Sequence, residues 1–260
     1  MRSAFLALLF LVAGCSEAAP TKTPVSACSD RTFEGTRFTV CSSKGGKVEV
    51  RTSGRDGVPY RSFAALETAL GKRSEQVAFA MNAGMFDENG RAIGLLVEDG
   101  NELHKINRRK GGGNFHMLPN GVFLVRRDGR SEVVTSDAYK PSADLAFATQ
   151  SGPMLVIGGK LHPAFEPDGQ SRYVRNGVGI APDGTPLFVI SVELVSFGKL
   201  ARFFRDELKT RDALYFDGSV SSLWDPANAR RDSHAELGPM AVVFRPSGPS
   251  PRPGERTRRP

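Results

Sequence analysis

The stretch Asn176-Gly177-Val178-Gly179-Ile180-Ala181-Pro182-Asp183-Gly184-Thr185-Pro186-Leu187-Phe188-Val189-Ile190-Ser191-Val192-Glu193-Leu194 decides the fold class. Two apolar runs, Asn176 to Ala181 and Leu187 to Leu194, flank Pro182-Asp183-Gly184-Thr185, and this pattern predicts a β-hairpin. Short apolar runs recur on both sides of it, at Val77–Met81, Ile93–Glu98, Gly121–Arg126, Phe147–Thr149, Met154–Ile157, Ala213–Phe216 and Met240–Phe244. Thr36 to Cys41 and Lys47 to Arg51 read as a further hairpin across Ser42–Gly46. Helical spacing is rarer. Ser62 can cap a helix carrying Phe63, Leu66, Ala69 and Leu70, with Gly71 at its end. Ser196 can cap a second, with Phe197, Leu200, Phe203, Phe204 and Leu208 on one face and Lys199, Arg202 and Arg205 facing water. Many strands, few helices and no regular β-α-β alternation predict a single α+β domain with a large mixed or antiparallel sheet.

The chain opens with Met1-Arg2-Ser3, the apolar run Ala4 to Ala13, then Gly14-Cys15. One cation, a short apolar stretch and small residues before a break form a secretory signal peptide, too short to span a bilayer. Val12-Ala13-Gly14-Cys15 resembles a bacterial lipobox, in which Cys15 is acylated and becomes the first mature residue. A plain secretory signal with an incidental cysteine is the other reading. The expected layout is a signal peptide over 1–14, a linker over 15–30, a folded domain over 31–245 and a basic, Pro-rich tail over 246–260. The expected location is the bacterial cell envelope, lipid-anchored and facing the periplasm, with Ser16 after Cys15 leaning towards the outer membrane.

The net charge of +7 misleads. Residues 245–260 hold five arginines and one glutamate, and Arg2 lies in the leader; residues 15–244 carry only +2. A nearly neutral body gives no electrostatic case for nucleic acid as a partner. Apart from Cys15 there are two cysteines, Cys28 and Cys41, and an even pair in an oxidising compartment predicts a disulfide. Closing a loop of about thirteen residues contributes on the order of 3 kcal/mol. The histidines His104, His116, His162 and His234 are scattered without a ligand pattern, so neither a metal nor another cofactor is expected.

Polar residues gather where strands end. Asn82-Ala83-Gly84-Met85-Phe86 follows the strand from Val77; Asn82 can donate to a substrate oxygen or bond its own turn. Arg175 leads into the hairpin, where a guanidinium can hold an anion bidentately or sit in a surface ion pair. Arg172 and Arg175 face opposite sides of an extended strand. Asp217-Gly218-Ser219 follows the strand from Ala213, placing a carboxylate and backbone N–H groups at one rim, which suits acid–base work and anion binding. Glu193 is a candidate second carboxylate for glycosidic hydrolysis. Lys105, Arg108, Arg109 and Lys110 before Gly111-Gly112-Gly113-Asn114 lack the spacing of a phosphate loop and read as a solvated basic loop.

Together these clusters resemble the phosphodiester glycosidase domain family, whose members include a hydrolase of N-acetylglucosamine phosphodiesters. Asn82–Phe86, Arg175–Ile180 and Phe216–Leu223 stand near the family patterns N-G-G-F, R-T-A-I-G and L-D-G-G-G-S, in the family's order. Gln150-Ser151-Gly152-Pro153-Met154-Leu155 also fits. Ala83, Asn176, Gly177, Ser219 and Val220 depart from those patterns. The resemblance implies a hydrolase of a sugar phosphodiester or related glycosidic bond, with a carbohydrate or glycosyl-phosphate substrate. It implies Asp217 as acid or base, Arg175 on the phosphate, Glu193 as a lesser candidate, and Asn82, Gly84, Gln150, Gly218 and Ser219 binding substrate. The alternatives are a non-catalytic glycan-binding or wall-associated lipoprotein on the same scaffold, and an assembly factor using the helix from Ser196.

Overall fold

A computed structural model describes residues 25–246. The leader, Cys15, the first part of the linker and the tail beyond Pro246 lie outside the described residues. The strands form three sheets, and every pairing is antiparallel.

The seven-stranded first sheet runs, in spatial order, β1 (Cys28–Phe33), β2 (Thr36–Ser42), β13 (Pro186–Ser191), β12 (Asn176–Ile180), β14 (Ala213–Tyr215), β10 (Met154–Ile157) and β11 (Lys160–Leu161). The second has β16 (Arg230–Arg231), β15 (Leu223–Asp225), β4 (Val77–Asn82), β17 (Met240–Phe244) and β3 (Lys47–Arg51). The third has β6 (Asn101–His104), β5 (Leu96–Glu98), β9 (Leu145–Ser151), β7 (Gly121–Arg126) and β8 (Ser131–Thr135). The α+β class stands. The one large sheet is instead three, since so many twisted strands curl or split before forming one open sheet.

The expected hairpin at Asn176 forms, with Asn176 opposite Ile190 and Ile180 opposite Pro186. Its turn closes with Ala181 N–H to the Thr185 carbonyl at 2.9 Å. The hairpin read between Thr36–Cys41 and Lys47–Arg51 does not form. β2 pairs with β1 and β13 in the first sheet, while β3 pairs with β17 in the second. The physical reason lies in Cys28–Phe33, whose extended run was missed and which takes the free edge of β2. Cys28 and Cys41 stand directly opposite each other there and are joined by the expected disulfide.

The sheets enclose one apolar core. Phe188 of the first sheet meets Phe79 of the second at 5.4 Å and Phe123 of the third at 5.6 Å, both edge to face. Phe216, on the connection from β14 to β15, packs into the same cluster. The edge-to-face geometry matches positive ring rims to negative faces.

The two α-helices of the described residues are short. Helix α1 (Phe63–Leu70) is capped by Ser62, whose hydroxyl accepts from Ala65 N–H at 3.1 Å, and it buries Phe63 and Leu66. Helix α2 (Phe197–Arg202) is capped by Ser196, which accepts from Lys199 N–H at 3.1 Å. The predicted helix continues as a π-turn over Phe203–Glu207. Phe203 and Leu208, five residues apart and both buried, would lie about 140° apart on a regular helix. The wider turn, closed by Leu208 N–H to the Phe203 carbonyl at 3.1 Å, lets both reach the core. Replacing Ser196 by alanine removes the cap; urea denaturation should show a loss of about 1 kcal/mol.

Candidate functional site

The chain passes from the first sheet to the second between β14 and β15, and the three polar clusters meet at that crossing. Asn82 ends β4, and its Nδ2 donates to the Asp217 carbonyl at 2.6 Å. Its Oδ1 accepts from Ser222 N–H at 2.8 Å and from Asn176 Nδ2 at 2.9 Å. Ser221 Oγ lies 3.0 Å from Asn176 Oδ1, and Asp217 N–H donates to the Ala83 carbonyl at 2.9 Å. A buried amide with every group paired is rigid, because each alternative leaves a desolvated dipole. Asn82 therefore fixes the backbone that carries Asp217; buried at 1% exposure, its amide does not reach a substrate oxygen.

Asp217 caps the short 3₁₀ turn Gly218–Val220. Its Oδ1 accepts from Ser219 Oγ at 2.6 Å and from Ser219 N–H at 3.2 Å. Burial pushes its carboxyl above the usual aspartate range, opposed in part by those two donors. Such a group takes a proton more readily than an ordinary aspartate, the property wanted of a general base.

Arg175 departs from the expected role. Its side chain is 1% exposed and is the largest among the fully buried ones. Nε donates to the Val195 carbonyl at 2.9 Å, Nη1 to Tyr215 Oη at 2.9 Å, and Nη2 to the Ser171 carbonyl and hydroxyl at 3.0 Å each. The Phe197 ring centroid lies 3.6 Å from its Cζ. Four of the five N–H groups of the fork are spent inside the protein, so a bidentate phosphate clamp is not available. No carboxylate pairs with it among the described residues, and burial lowers its pKa. Arg175 and Asp217 do not perturb each other: neither shift has the other as a cause. Tyr215 joins them instead. Its phenol accepts from Arg175, and the backbone of Gly218 presses so closely on it that no side chain fits there. Burial raises the Tyr215 pKa to about 12, so the phenol stays neutral.

Above this frame opens a cleft of about 490 Å³. It is lined by polar groups, among them Ser191, Ser219, Ser221, Arg230, Asp232 and His234, together with Tyr173, Val174, Ile190 and Val192. Arg230 grips Asp232 with Nε at 3.1 Å and Nη2 at 2.8 Å. Another cleft, of about 550 Å³ beside Lys47, Arg126, Arg127 and Arg245, holds none of the motif residues.

Of the candidates only Gly218 and Ser219 line the cleft; Asn82, Arg175, Asp217, Gly84, Gln150 and Glu193 do not. Gln150 is buried with its Oε1 accepting from Leu95 and Asn107 N–H, and its Nε2 donating to the Asn107 carbonyl and Ser136 Oγ. It ties loops together rather than binding substrate. Gly84 lies against Thr149 and the Gln150 carbonyl, with no space for a side chain. Glu193 lies beyond the end of β13, exposed, accepting from Arg37 N–H at 2.8 Å and paired with its guanidinium at 3.6 Å. It is not brought to Asp217. Tyr215 had a usable signal, since it precedes Asp217 by two residues and so shares its side of an extended strand. Asp232 and His234 had none, lying in a polar run without periodicity.

Residues 75–244 match the phosphodiester glycosidase family model. The chain belongs to the phosphodiester glycosidase family. All the motif residues fall inside that range, and the residues lining the cleft do as well. The chain is 34% identical over 198 residues to YigE, an uncharacterized protein of Escherichia coli strain K12, covering 76% of this chain and 77% of that one. Among solved structures it resembles the zebrafish N-acetylglucosamine-1-phosphodiester alpha-N-acetylglucosaminidase catalytic domain auto-inhibited by its pro-peptide. The TM-score is 0.58 at 15% identity, over 84% of this chain and 81% of that one. A hypothetical protein from Synechocystis matches with a TM-score of 0.53 at 13% identity, over 84% and 61%. At such identities these two likenesses concern the fold.

Proposed function

We propose that the protein hydrolyses a glycosyl phosphodiester, releasing a free sugar and a phosphate monoester. The observation that supports this reading is the Asp217 carboxyl. In a phosphodiester glycosidase chain, it is raised by burial and held by Ser219, a lining residue of the cleft, while Asn82 fixes the backbone that carries it. In the proposed step Asp217 takes a proton from water as the water oxygen bonds to the anomeric carbon. The glycosidic C–O bond breaks, and its electron pair leaves on the phosphate oxygen. A phosphate monoester departs as a stable anion and needs no proton donor, so one carboxylate suffices. Donors and positive charge aid departure most. Arg230 and His234, which line the cleft, supply them, and Arg175 contributes its charge without contact. The test is a panel of glycosyl phosphodiesters and wall fragments assayed for reducing sugar. Release from at least one member supports the reading. Binding without release from any would convert it into a glycan-binding module.

The lipobox motivates a second part of the proposal, that the mature chain is anchored to the cell envelope through Cys15. Thioether and amide-linked acyl chains together give stable anchoring where one chain does not. Cys15→Ser should abolish metabolic fatty-acid labelling and move the protein out of the membrane fraction. Unchanged labelling would defeat the anchor and leave the hydrolase reading intact.

A further inference from the structure

Tyr173 presents a flat aromatic ring to solvent beside the cleft, and its role in the fold does not account for that exposure. The cleft it lines mixes apolar groups, Val174, Ile190 and Val192, with hydroxyls and charge from Ser191, Ser219, Ser221, Arg230, Asp232 and His234. The residue is 57% exposed. Yet it is not loosely held: its backbone is bridged to Val195 in both directions, Tyr173 N–H to the Val195 carbonyl at 3.2 Å and Val195 N–H to the Tyr173 carbonyl at 2.8 Å. The buried Arg175 guanidinium lies 5.3 Å from the ring centroid. An exposed, pre-positioned aromatic forgoes the burial that usually stabilises such a ring, and it loses little entropy when something flat covers it. A cleft with an exposed aromatic ring among hydroxyls and charged groups matches a pyranose. The C–H face of the sugar covers the ring, and the hydroxyls and anomeric phosphate turn to the other side.

We infer that Tyr173 is the platform on which the substrate's sugar ring stacks. This rests on the glycosyl phosphodiester reading of the cleft. Trp224 is the one tryptophan in the chain and is buried, so Tyr173→Trp places a second, exposed reporter at the site. The probe is N-acetylglucosamine 1-phosphate, with inorganic phosphate as control. The glycosyl phosphate should change the emission of Tyr173→Trp, while phosphate alone should not. With a substrate that wild type turns over, Tyr173→Ala and Tyr173→Leu should raise KM about tenfold with kcat nearly unchanged. Tyr173→Phe should restore KM, because the face and not the hydroxyl is used. Ring loss with an unchanged KM would overturn the platform. So would an emission response to phosphate equal to that for the sugar phosphate. An emission response without turnover by wild type would keep the platform and sink the hydrolase reading. Neither response nor turnover would sink both.

Discussion

Asp217→Asn should lower kcat/KM on any glycosyl phosphodiester that wild type hydrolyses by about 10² to 10⁴, the usual range for removing a general base. The fold should survive. The Asp217 backbone is held by its own N–H to Ala83 and by Asn82 on its carbonyl, and the substitution touches neither. An asparagine Oδ1 still accepts from Ser219. What disappears is the capacity to take a proton. The pH profile gives a sharper check. Burial raises the Asp217 carboxyl, and the base works only when ionised, so the acidic limb of kcat/KM should have its midpoint above that of an ordinary aspartate. Ser219 donates hydroxyl and amide protons to the carboxylate and so holds the pKa down. Ser219→Ala removes the hydroxyl bond, and the limb should move to higher pH. A limb unmoved in Ser219→Ala, or full activity in Asp217→Asn, would remove Asp217 from the chemistry. Ser219→Ala should leave the plateau rate largely intact if the serine only tunes the base.

The strands were legible because each is a short apolar run closed by a turn signal, and the limits of Gly121–Arg126 and Met240–Phe244 follow directly from that pattern. The partners of the strands were not. Thr36–Ser42 and Lys47–Arg51 are close in sequence and end in different sheets, because Cys28–Phe33 and Pro186–Ser191 take both edges of the first. The site was legible as a set of places. Asn82, Arg175 and Asp217 come together around Asn176 and Tyr215, although 93 and 42 residues separate them along the chain, but none of the three lines the cleft. Their parts were not legible, since a side chain's role depends on which of its donors the fold has already used. Asn82 and Gln150 look like ligand-binding amides until their partners are counted. Arg175 looks like a phosphate clamp until Val195, Tyr215 and Ser171 take its N–H groups. The catalytic candidate that keeps a free function is the one whose carboxyl has a single hydroxyl and a single amide upon it.

Far from the cleft, Glu98 should make the protein less stable as pH rises, and Glu98→Gln should remove that dependence. Glu98 ends β5 with 9% of its surface exposed, and its Oε1 has no hydrogen-bond partner. Arg51 is the nearest cation, 3.9 Å away, but its fork is engaged by Glu49 at 2.5 and 3.0 Å and by Asp99 at 2.7 Å. Desolvation therefore outweighs the attraction and pushes the Glu98 carboxyl up to about 7. Between the unfolded value of 4.5 and this folded value the native state binds the additional proton, so stability falls with rising pH across that window. Below it both states are protonated and the effect vanishes; above it the full penalty applies. That window, from 4.5 to about 7, corresponds to about 3 kcal/mol. Glutamine keeps the shape and cannot ionise. Whatever constant offset its amide introduces, the stability of Glu98→Gln relative to wild type should grow by about 3 kcal/mol between pH 4 and pH 8.5. Urea denaturation at a series of pH values measures it directly. Parallel curves for the two proteins would show that the carboxyl is ionised in the fold at ordinary pH and that Arg51 does hold it. A gap that opens between pH 4.5 and 7 would show that the Arg51 network is closed around Glu49 and Asp99, with Glu98 retained as a neutral acid.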